Sequence, residues 1–261
     1  MSALALKRTV ARAARGVRHP RRVLRARRIR SAFVSRFLDG DRRTLARYER
    51  ELRESGLIHH LFARGQEHHE AVLRSGGQHS LGAIGYREGA YLYAVVRKLR
   101  PRIAVETGVA NGFSTAFLLQ AFRENGEGGL YSIDLPREVG REYAPGTFYE
   151  GEGRAGIPPD SEPGWLVPEE LKERWTLILG RSQEELPPLL QRLGAIDFFM
   201  HDSEHSFECM WFEFNEAWTA LRPGGVLVSD DVNVNQAFAR FAGEQGREPV
   251  SLARGMALLT R

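Results

Sequence analysis

Apolar and polar residues follow two different spacings along this chain of 261 residues. Short apolar runs with β-branched residues, such as 103–105, are typical of strands that are buried on both faces of a sheet. Longer stretches with apolar residues at helical spacing, such as 41–75, predict amphipathic helices. From residue 89 onwards the two kinds of segment alternate. The sequence therefore predicts an α/β fold with a doubly wound, mostly parallel, seven-stranded sheet and an N-terminal helical extension.

Turn residues separate the predicted elements. Pro101 precedes the first strand, 125–129 forms a turn before the second, and 222–225 forms a turn before the fifth. The predicted strands lie at 103–105, 130–134, 175–180, 197–200 and 226–231, with one or two more within 248–261. The helix after the fourth strand has an aromatic and apolar stripe that we expect in the core, formed by Phe207, Met210, Trp211, Phe214 and Trp218.

The stretch 103–114 has the order strand, glycine turn and helix, which opens a nucleotide-binding βαβ unit. Gly108 and Gly112 allow a tight turn and a close approach of the backbone to a ligand. Glu106 stands where a dinucleotide-binding motif has its first glycine. A carboxylate there repels a pyrophosphate but suits a ligand with an ammonium group, such as S-adenosylmethionine. A glycine turn without any ligand is the alternative.

Asp134 ends the second predicted strand, about 20 residues beyond the glycine turn. An acid at this position is placed to accept hydrogen bonds from ribose hydroxyls. The alternative is an ordinary turn aspartate. The spacing favours the ribose interpretation.

Acidic residues also follow the fourth and fifth predicted strands, at Asp202 and at Asp230 and Asp231. The carboxyl ends of parallel strands share one edge of a sheet, so we expect these three side chains to converge. Their mutual repulsion would be relieved by a divalent cation. Oxygen ligands favour a hard ion, Mg²⁺ or a relative such as Mn²⁺ or Ca²⁺. Independent helix-capping aspartates are the alternative.

His205 follows Asp202 by three residues, at the start of a predicted helix and near the same edge. A neutral imidazole beside an ionising hydroxyl is a candidate general base. A histidine that caps this helix or orients an aspartate is the alternative.

Charge is distributed unevenly along the chain. Residues 1–38 contain 12 Lys and Arg and no Asp or Glu, which leaves 25 basic against 33 acidic residues in the remainder. This basic arm is expected to be a solvated flexible segment, a basic helix on an anionic surface such as membrane or RNA, or a helix that docks on the body or on a second subunit. A mobile arm or a docking helix is favoured. Nucleic acid is not expected, because no RNA-binding signature accompanies the arginines.

The single cysteine excludes an internal disulfide and fits a reducing compartment. The chain has no apolar run of transmembrane length and no secretory h-region. We therefore expect a cytoplasmic protein, with peripheral membrane contact through the arm and a homo-oligomer left open.

Three segments are predicted: a basic arm at 1–38, a helical extension at 39–80 and a ligand-binding domain at 81–261. Within the domain, 136–170 is rich in Pro and Gly and is long for a connection, which predicts an insertion or lid. Trp165 in this insertion either closes over a ligand or packs the loop down on the body.

Residues 80–261 resemble class I S-adenosylmethionine-dependent methyltransferases. More narrowly, they resemble metal-dependent O-methyltransferases of the catechol, macrocin and cephalosporin-biosynthesis types. The resemblance rests on five motifs in order: ETGVANGFS, SIDL, GRSQEELP, DFFMHDSEHSFE and LRPGGVLVSDD. It implies cofactor-binding roles for Glu106, Gly108, Asn111, Gly112, Ser114, Asp134, Ser182, Gln183 and Asp202. It also implies metal ligands at Asp202, Asp230 and Asp231, and a catalytic pair at His205 and Asp202.

Two positions depart from the catechol-type pattern. Asp230 and Asp231 stand where those enzymes have Asp-Asn, and His205 stands where they have a lysine. The resemblance implies methyl transfer, dependent on S-adenosylmethionine and a divalent cation such as Mg²⁺, to a hydroxyl of a small molecule. A sugar diol or a catechol-like acceptor from natural-product or glycan biosynthesis fits best. The alternatives are a metal-independent methyltransferase that acts on nucleic acid or protein through the arm, a non-catalytic binding protein and, last, an NAD oxidoreductase.

Overall fold

The computed structural model describes residues 20–74, 84–136, 157–158 and 161–261. Seven strands lie within these ranges. They are β1 (Ile103–Thr107), β2 (Gly129–Asp134), β3 (Trp175–Leu179), β4 (Ile196–His201), β5 (Leu221–Ser229), β6 (Val250–Ser251) and β7 (Ala257–Thr260).

The described helices begin before the sheet and then alternate with its strands. Four precede β1: α1 (Pro20–Phe37), α2 (Arg42–Glu54), α3 (Leu57–Arg74) and α4 (Tyr86–Leu99). Four follow it: α5 (Phe113–Asn125), α6 (Ser182–Leu193), α7 (Phe207–Ala220) and α8 (Ala237–Glu244). A short 3₁₀ helix, Glu169–Arg174, leads into β3.

The strands form one sheet in the order β3-β2-β1-β4-β5-β7-β6. The first five strands pair in parallel, whereas β7 runs antiparallel to both β5 and β6. The predicted doubly wound, mostly parallel seven-stranded sheet is confirmed. From β1 the chain adds β2 and β3 on one side, and it then returns to add β4 and β5 on the other side of β1. Where the strand order reverses in this way, between β1 and β4, a ligand crevice opens at the carboxyl ends of the two strands.

Alternate residues of the central strands enter two separate apolar cores. Ala104 of β1 and Phe198 of β4 pack against the helices α1 to α5. Their neighbours Val105 and Phe199 pack on the opposite face, against α6, α7 and α8. Both faces of the parallel sheet are therefore covered, which is why its strands are apolar at successive positions.

Two differences from the sequence prediction go beyond a shift of one or two residues at the end of an element. The single helix expected at 41–75 is two helices, because Gly56 adopts a left-handed φ of +76° that a helix cannot continue through. The turn expected at 222–225 lies within the bounds of β5. There the four residues oppose the single residue Asp197 of β4, so the ladder shifts register before it resumes at Val226.

Helix α1 packs on the body of the protein through its second half. Phe33 is fully buried, and its ring contacts those of Phe37 and Tyr91. Arg36 donates hydrogen bonds to the main-chain oxygens of Glu248 and Pro249, at the edge of the sheet. The docking interpretation therefore describes this part of the predicted arm. Residues 1–19, and 137–156 with 159–160 of the predicted insertion, lie outside the described residues.

None of the helices in the described ranges combines the length and the apolar character needed to cross a membrane.

Substituting Phe33 tests how strongly α1 is packed. We expect Phe33→Ala to lower the free energy of unfolding by about 3–5 kcal/mol, because the substitution leaves a cavity in a closed core. The matched control, Leu24→Ala on the same helix, removes a side chain that is 55% exposed, and we expect a change within about 0.5 kcal/mol. Urea unfolding followed by tryptophan fluorescence measures both. Equal losses for the two variants would contradict the packing of α1.

Candidate active site

The turn after β1 is held against the end of β2. Gly108 N donates a hydrogen bond to Ile133 O at 2.9 Å. Asp134 Oδ1 accepts from the main-chain nitrogens of Val109 at 2.8 Å and Ala110 at 3.2 Å. The second oxygen, Asp134 Oδ2, is buried and has no hydrogen-bond partner in the described part of the chain. One buried acceptor therefore remains available beside the turn, where the sequence predicts a ribose.

The two glycines of this turn are required by close approaches on either side. Gly108 and Gly112 have φ values of +85° and +89°. A Cβ on Gly108 would lie 2.0 Å from Asp202 O, and one on Gly112 would lie 2.7 Å from Gly164 Cα. The turn is thus enclosed between the residue that follows β4 and the described end of the predicted insertion.

Glu106, on β1, supports the turn from inside. The side chain is fully buried, with Ser114 Oγ donating to Oε1 and both Thr115 Oγ1 and Ser132 Oγ donating to Oε2, each at 2.8 Å. Burial raises the pKa of Glu106 to about 7 in spite of these bonds. Hydroxyls from α5 and β2 occupy both carboxylate oxygens. Direct contact of Glu106 and Ser114 with a ligand therefore stays a prediction.

The described end of the insertion docks on the turn. Gly164 N donates to Ala110 O, and Leu166 N donates to Asn111 O. The indole of Trp165 donates to Asn111 Oδ1 at 2.5 Å, and its ring packs against α3. In this structure Trp165 therefore holds the loop down on the body. The buried Asn111 is engaged by the same segment.

The main chain of Asp202 extends the hydrogen-bond ladder between β1 and β4, and that of Asp230 extends the ladder between β4 and β5. Asp202 N donates to Thr107 O at 2.8 Å, and Asp230 N donates to His201 O at 3.0 Å. Burial and then the negative charges of Asp230 and Glu106 raise the pKa of Asp202 well above its ordinary value. The pKa of Asp230 is raised as well, mainly by burial. The carboxylates at this edge are close enough to oppose one another's ionisation.

His205 lies between two of these carboxylates. Its Nε2 atom is 3.8 Å from Asp202 Oδ1 and 3.8 Å from Asp231 Oδ2, which is too far for a hydrogen bond. This nitrogen is buried and has no partner in the described ranges. Burial and then the charge of His201 lower the pKa of His205, which favours the neutral imidazole.

The predicted metal ligands do not form a coordination cage. Within the described residues, no group of three or more His, Cys, Asp or Glu side chains is arranged to hold a metal ion. Asp202, Asp230 and Asp231 do lie at one edge, and their oxygens are the donors that a hard cation prefers.

Ser182 and Gln183 begin α6, after β3. The Ser182 hydroxyl is buried and faces Gln183 Oε1 at 3.5 Å and Cys209 Sγ at 3.8 Å. The structure thus places these two residues at the carboxyl edge of the sheet, and their contact with an adenine stays a prediction.

A family model described as a methyltransferase domain matches residues 105–232. The chain carries a methyltransferase domain. The matched residues include the glycine turn, Asp134 and the three aspartates at the strand ends. This match confirms the predicted enzyme class.

Two solved structures share the fold of this methyltransferase. The SAH-bound methyltransferase PaMTH1 from Podospora anserina has a TM-score of 0.50 and 13% identity, and the match covers 78% of this chain and 86% of that chain. The O-methyltransferase NovP has a TM-score of 0.51 and 15% identity, with coverage of 68% and 81%. At these identities the likeness shows the class I fold alone. No curated protein sequence matches the chain.

A buried glutamate beneath the methyltransferase site was not predicted. Glu213 of α7 is fully buried, and its Oε2 atom accepts from Thr107 Oγ1 at 2.5 Å and lies 2.6 Å from His201 Nδ1. Its Oε1 atom accepts from Ser203 Oγ at 2.7 Å. Burial opposes the ionisation of Glu213, but the charge of His201 and these hydrogen bonds outweigh burial and lower the pKa. Glu213 therefore ties down both neighbours of Asp202.

The sequence did contain a signal for Glu213. It lies between Met210 and Phe214 on the face of α7 that the aromatic stripe assigns to the core. A charged residue on a core face requires a buried partner. His201, the last residue of an apolar strand, is the buried base that the same pattern places at the carboxyl edge of the sheet.

Two effects disfavour a side chain at Gly108: its left-handed backbone and its close approach to Asp202. Gly126 shares only the first, so a comparison of the two glycines measures the cost of the close approach. Gly126 has a φ of +73°, and no atom lies within 4 Å of the position that a Cβ would take there, so Gly126→Ala should cost about 1–2 kcal/mol of unfolding free energy. We expect Gly108→Ala to cost about 1–3 kcal/mol more, because its methyl group overlaps the main chain of Asp202. Thermal and urea unfolding measure the difference. Equal losses would show that the main chain of Asp202 yields without cost.

Glu213→Gln tests the anchoring of the segment that carries Asp202. We expect a loss of about 3–5 kcal/mol in unfolding free energy, because the substitution breaks a buried pair and leaves His201 without its charged partner. The control is Glu216→Gln on the same helix, which is only partly buried and should change stability by about 0.5 kcal/mol or less. Denaturant unfolding measures both variants. A loss at Glu213 as small as that at Glu216 would contradict the anchoring role.

Proposed function

We propose that this methyltransferase transfers the methyl group of S-adenosylmethionine to a hydroxyl oxygen of a small molecule. One observation carries the proposal. Two buried and unpartnered polar atoms, Asp134 Oδ2 and His205 Nε2, lie at the carboxyl edge of one sheet, on either side of the β1–β4 crevice. Asp134 Oδ2 suits a cofactor that donates hydrogen bonds, and His205 Nε2 suits a methyl-accepting substrate whose hydroxyl loses a proton.

The cofactor half of the proposal rests on the turn and on charge. Asp134 Oδ2 would accept a hydrogen bond from a ribose hydroxyl, while Gly108 and Gly112 let the backbone approach the ligand. Burial raises the pKa of Asp202, and the negative charges of its acidic neighbours Asp230 and Glu106 raise it further, so these neighbours give the edge a negative potential. S-adenosylmethionine brings a sulfonium and an ammonium to that edge and carries no phosphate. Its product SAH is bound by the fold neighbour PaMTH1.

His205 is the proposed base for the acceptor hydroxyl. Its lowered pKa keeps the imidazole neutral near pH 7, and the unpartnered Nε2 is free to take a proton. S-adenosylmethionine, when bound, supplies an electrophilic methyl group on sulfur. The Nε2 atom of His205 would take the hydroxyl proton as the acceptor oxygen is methylated and SAH leaves. Asp202 and Asp231, each 3.8 Å away, would stabilise the imidazolium that results.

We further propose that a divalent cation, Mg²⁺ by preference, binds at Asp202, Asp230 and Asp231. Support comes from the donor chemistry and from the raised pKa of Asp202 and of Asp230, which burial and then nearby negative charge disfavour in their ionised forms and which a bound cation would stabilise as carboxylates. The ion would supply Lewis-acid activation of a hydroxyl. Acceptors with adjacent oxygens, a sugar diol or a catechol-like ring from natural-product or glycan biosynthesis, suit such an ion best.

Methyl transfer without a metal is the second candidate. It is favoured by the lack of a preformed three-ligand group among the described residues. In this mechanism His205 alone removes the proton, and the acceptor is a nucleic acid or a protein brought to the site by the basic arm.

Calorimetric titration of S-adenosylmethionine and of Mg²⁺ distinguishes these possibilities. We expect the wild type to bind both, and Asp230→Ala/Asp231→Ala to lose the Mg²⁺ signal, because two of the three proposed oxygen donors are removed. The matched control is Glu169→Ala/Glu170→Ala, which removes two exposed acids outside the site and should bind Mg²⁺ like the wild type. Cofactor binding without any Mg²⁺ signal in the wild type would favour the metal-independent candidate. Failure to bind S-adenosylmethionine would overturn the proposed function.

A further inference from the structure

The first half of α1, residues 21–28, is an exposed basic segment. Five of its eight residues are arginines, and all five are exposed: Arg21, Arg22, Arg25, Arg27 and Arg28. None of these five forms an ion pair with any residue that the structure describes. The ion pairs of α1 lie further along the helix, at Arg30 with Glu49 and at Arg36 with Glu248.

The second half of α1 fixes the direction of this basic segment. Phe33 and Val34 are buried in the core, and the ion pairs of Arg30 and Arg36 hold the helix on the body. Because α1 is one continuous helix from Pro20 to Phe37, the basic segment extends from this anchored half as a helix.

The charges of the basic segment oppose its own helical conformation. The first turn of α1 contains no acidic residue, although the helix dipole favours negative charge there. Arg21 and Arg25 are four residues apart, and Arg25 and Arg28 are three apart, so these side chains face one another and repel. The whole helix contains no Asp or Glu that could offset them. A negatively charged surface placed against the segment would attract these arginines and offset both their mutual repulsion and their repulsion by the positive end of the helix dipole.

Two aliphatic side chains identify the kind of surface. Leu24 is 55% exposed and Val23 is 37% exposed, and both lie among the arginines. Arginines beside exposed aliphatic residues suit a lipid interface, where the charges meet head groups and the aliphatic side chains enter the acyl boundary. Proteins that bind single-stranded nucleic acid combine basic side chains with exposed aromatic rings on which the bases stack. The aromatic residues of α1, Phe33 and Phe37, pack against the body and are not offered to a partner.

We propose that the basic segment 21–28 docks this methyltransferase on an anionic lipid surface. The exposed arginines bind the phosphates of the head groups, and Leu24 and Val23 insert beside them. This surface is separate from the methyltransferase site and does not depend on the proposed reaction.

Vesicle co-sedimentation of the full chain tests this proposal. We expect binding to phosphatidylcholine vesicles that contain phosphatidylserine, weakening at high salt, and no binding to phosphatidylcholine alone. Arg21→Gln/Arg25→Gln/Arg28→Gln should bind about a hundredfold more weakly, since each basic side chain near such a surface contributes roughly a factor of five. These positions are exposed, so circular dichroism and the thermal midpoint should match the wild type.

The matched control removes the same charge from the neighbouring helix. Arg42, Arg50 and Arg53 of α2 are exposed and form no ion pair with the described residues, and the triple change to Gln should bind vesicles like the wild type. Equal weakening in both triple variants would overturn the proposal, because vesicle binding would then depend on the net charge of the protein and not on the basic segment. Unchanged binding in the α1 variant would overturn it too. Binding of single-stranded RNA, measured by fluorescence anisotropy, without binding of phosphatidylserine vesicles would assign the segment to nucleic acid instead.

Discussion

The approach of Gly108 to the main chain of Asp202 sets the geometry on which the rest of the site depends. The space beyond Gly108 is filled by the oxygen of Asp202, and the left-handed backbone independently disfavours a side chain there. Glu213 holds both sides of this approach, because it accepts hydrogen bonds from Thr107, next to Gly108, and from Ser203, next to Asp202. The turn after β1 and the segment after β4 are thereby held against each other at the carboxyl edge of the sheet, and the proposed reaction between two bound molecules depends on such a fixed arrangement.

The parts of this structure that depend on local patterns could be predicted from the sequence. Parallel strands are buried on both faces, so the apolar run at 103–105 could be assigned without knowledge of its partners. Gly108 and Gly112 could be assigned to a tight turn for a similar reason, because glycine alone adopts their conformation freely. Asp202 and Asp230 could be placed at one edge, since strand direction in an alternating fold brings them together.

The parts that depend on distant partners could not be predicted. The carboxylate of Glu106 accepts hydrogen bonds from hydroxyls of α5 and from Ser132 of β2, and the sequence does not reveal which hydroxyls fold back onto a carboxylate. Contact of Glu106 with a ligand stays a prediction. The pairing of His201 with Glu213 joins a strand to a helix in the same way. Whether the side chains of Asp202, Asp230 and Asp231 converge on one point depends on side-chain angles, which the order of residues in the chain does not give.

The contact of α1 with the sheet edge joins residues that are far apart in the chain. Arg36 and Pro249, which share a hydrogen bond, are separated by 213 positions. On the ribosome α1 is made well before the sheet edge that receives it, so Phe33 and Val34 have no complete partner surface until β6 and β7 have been made. A chain that stops before β6 would leave part of the apolar face of α1, with Phe33 and Val34, exposed to chaperones.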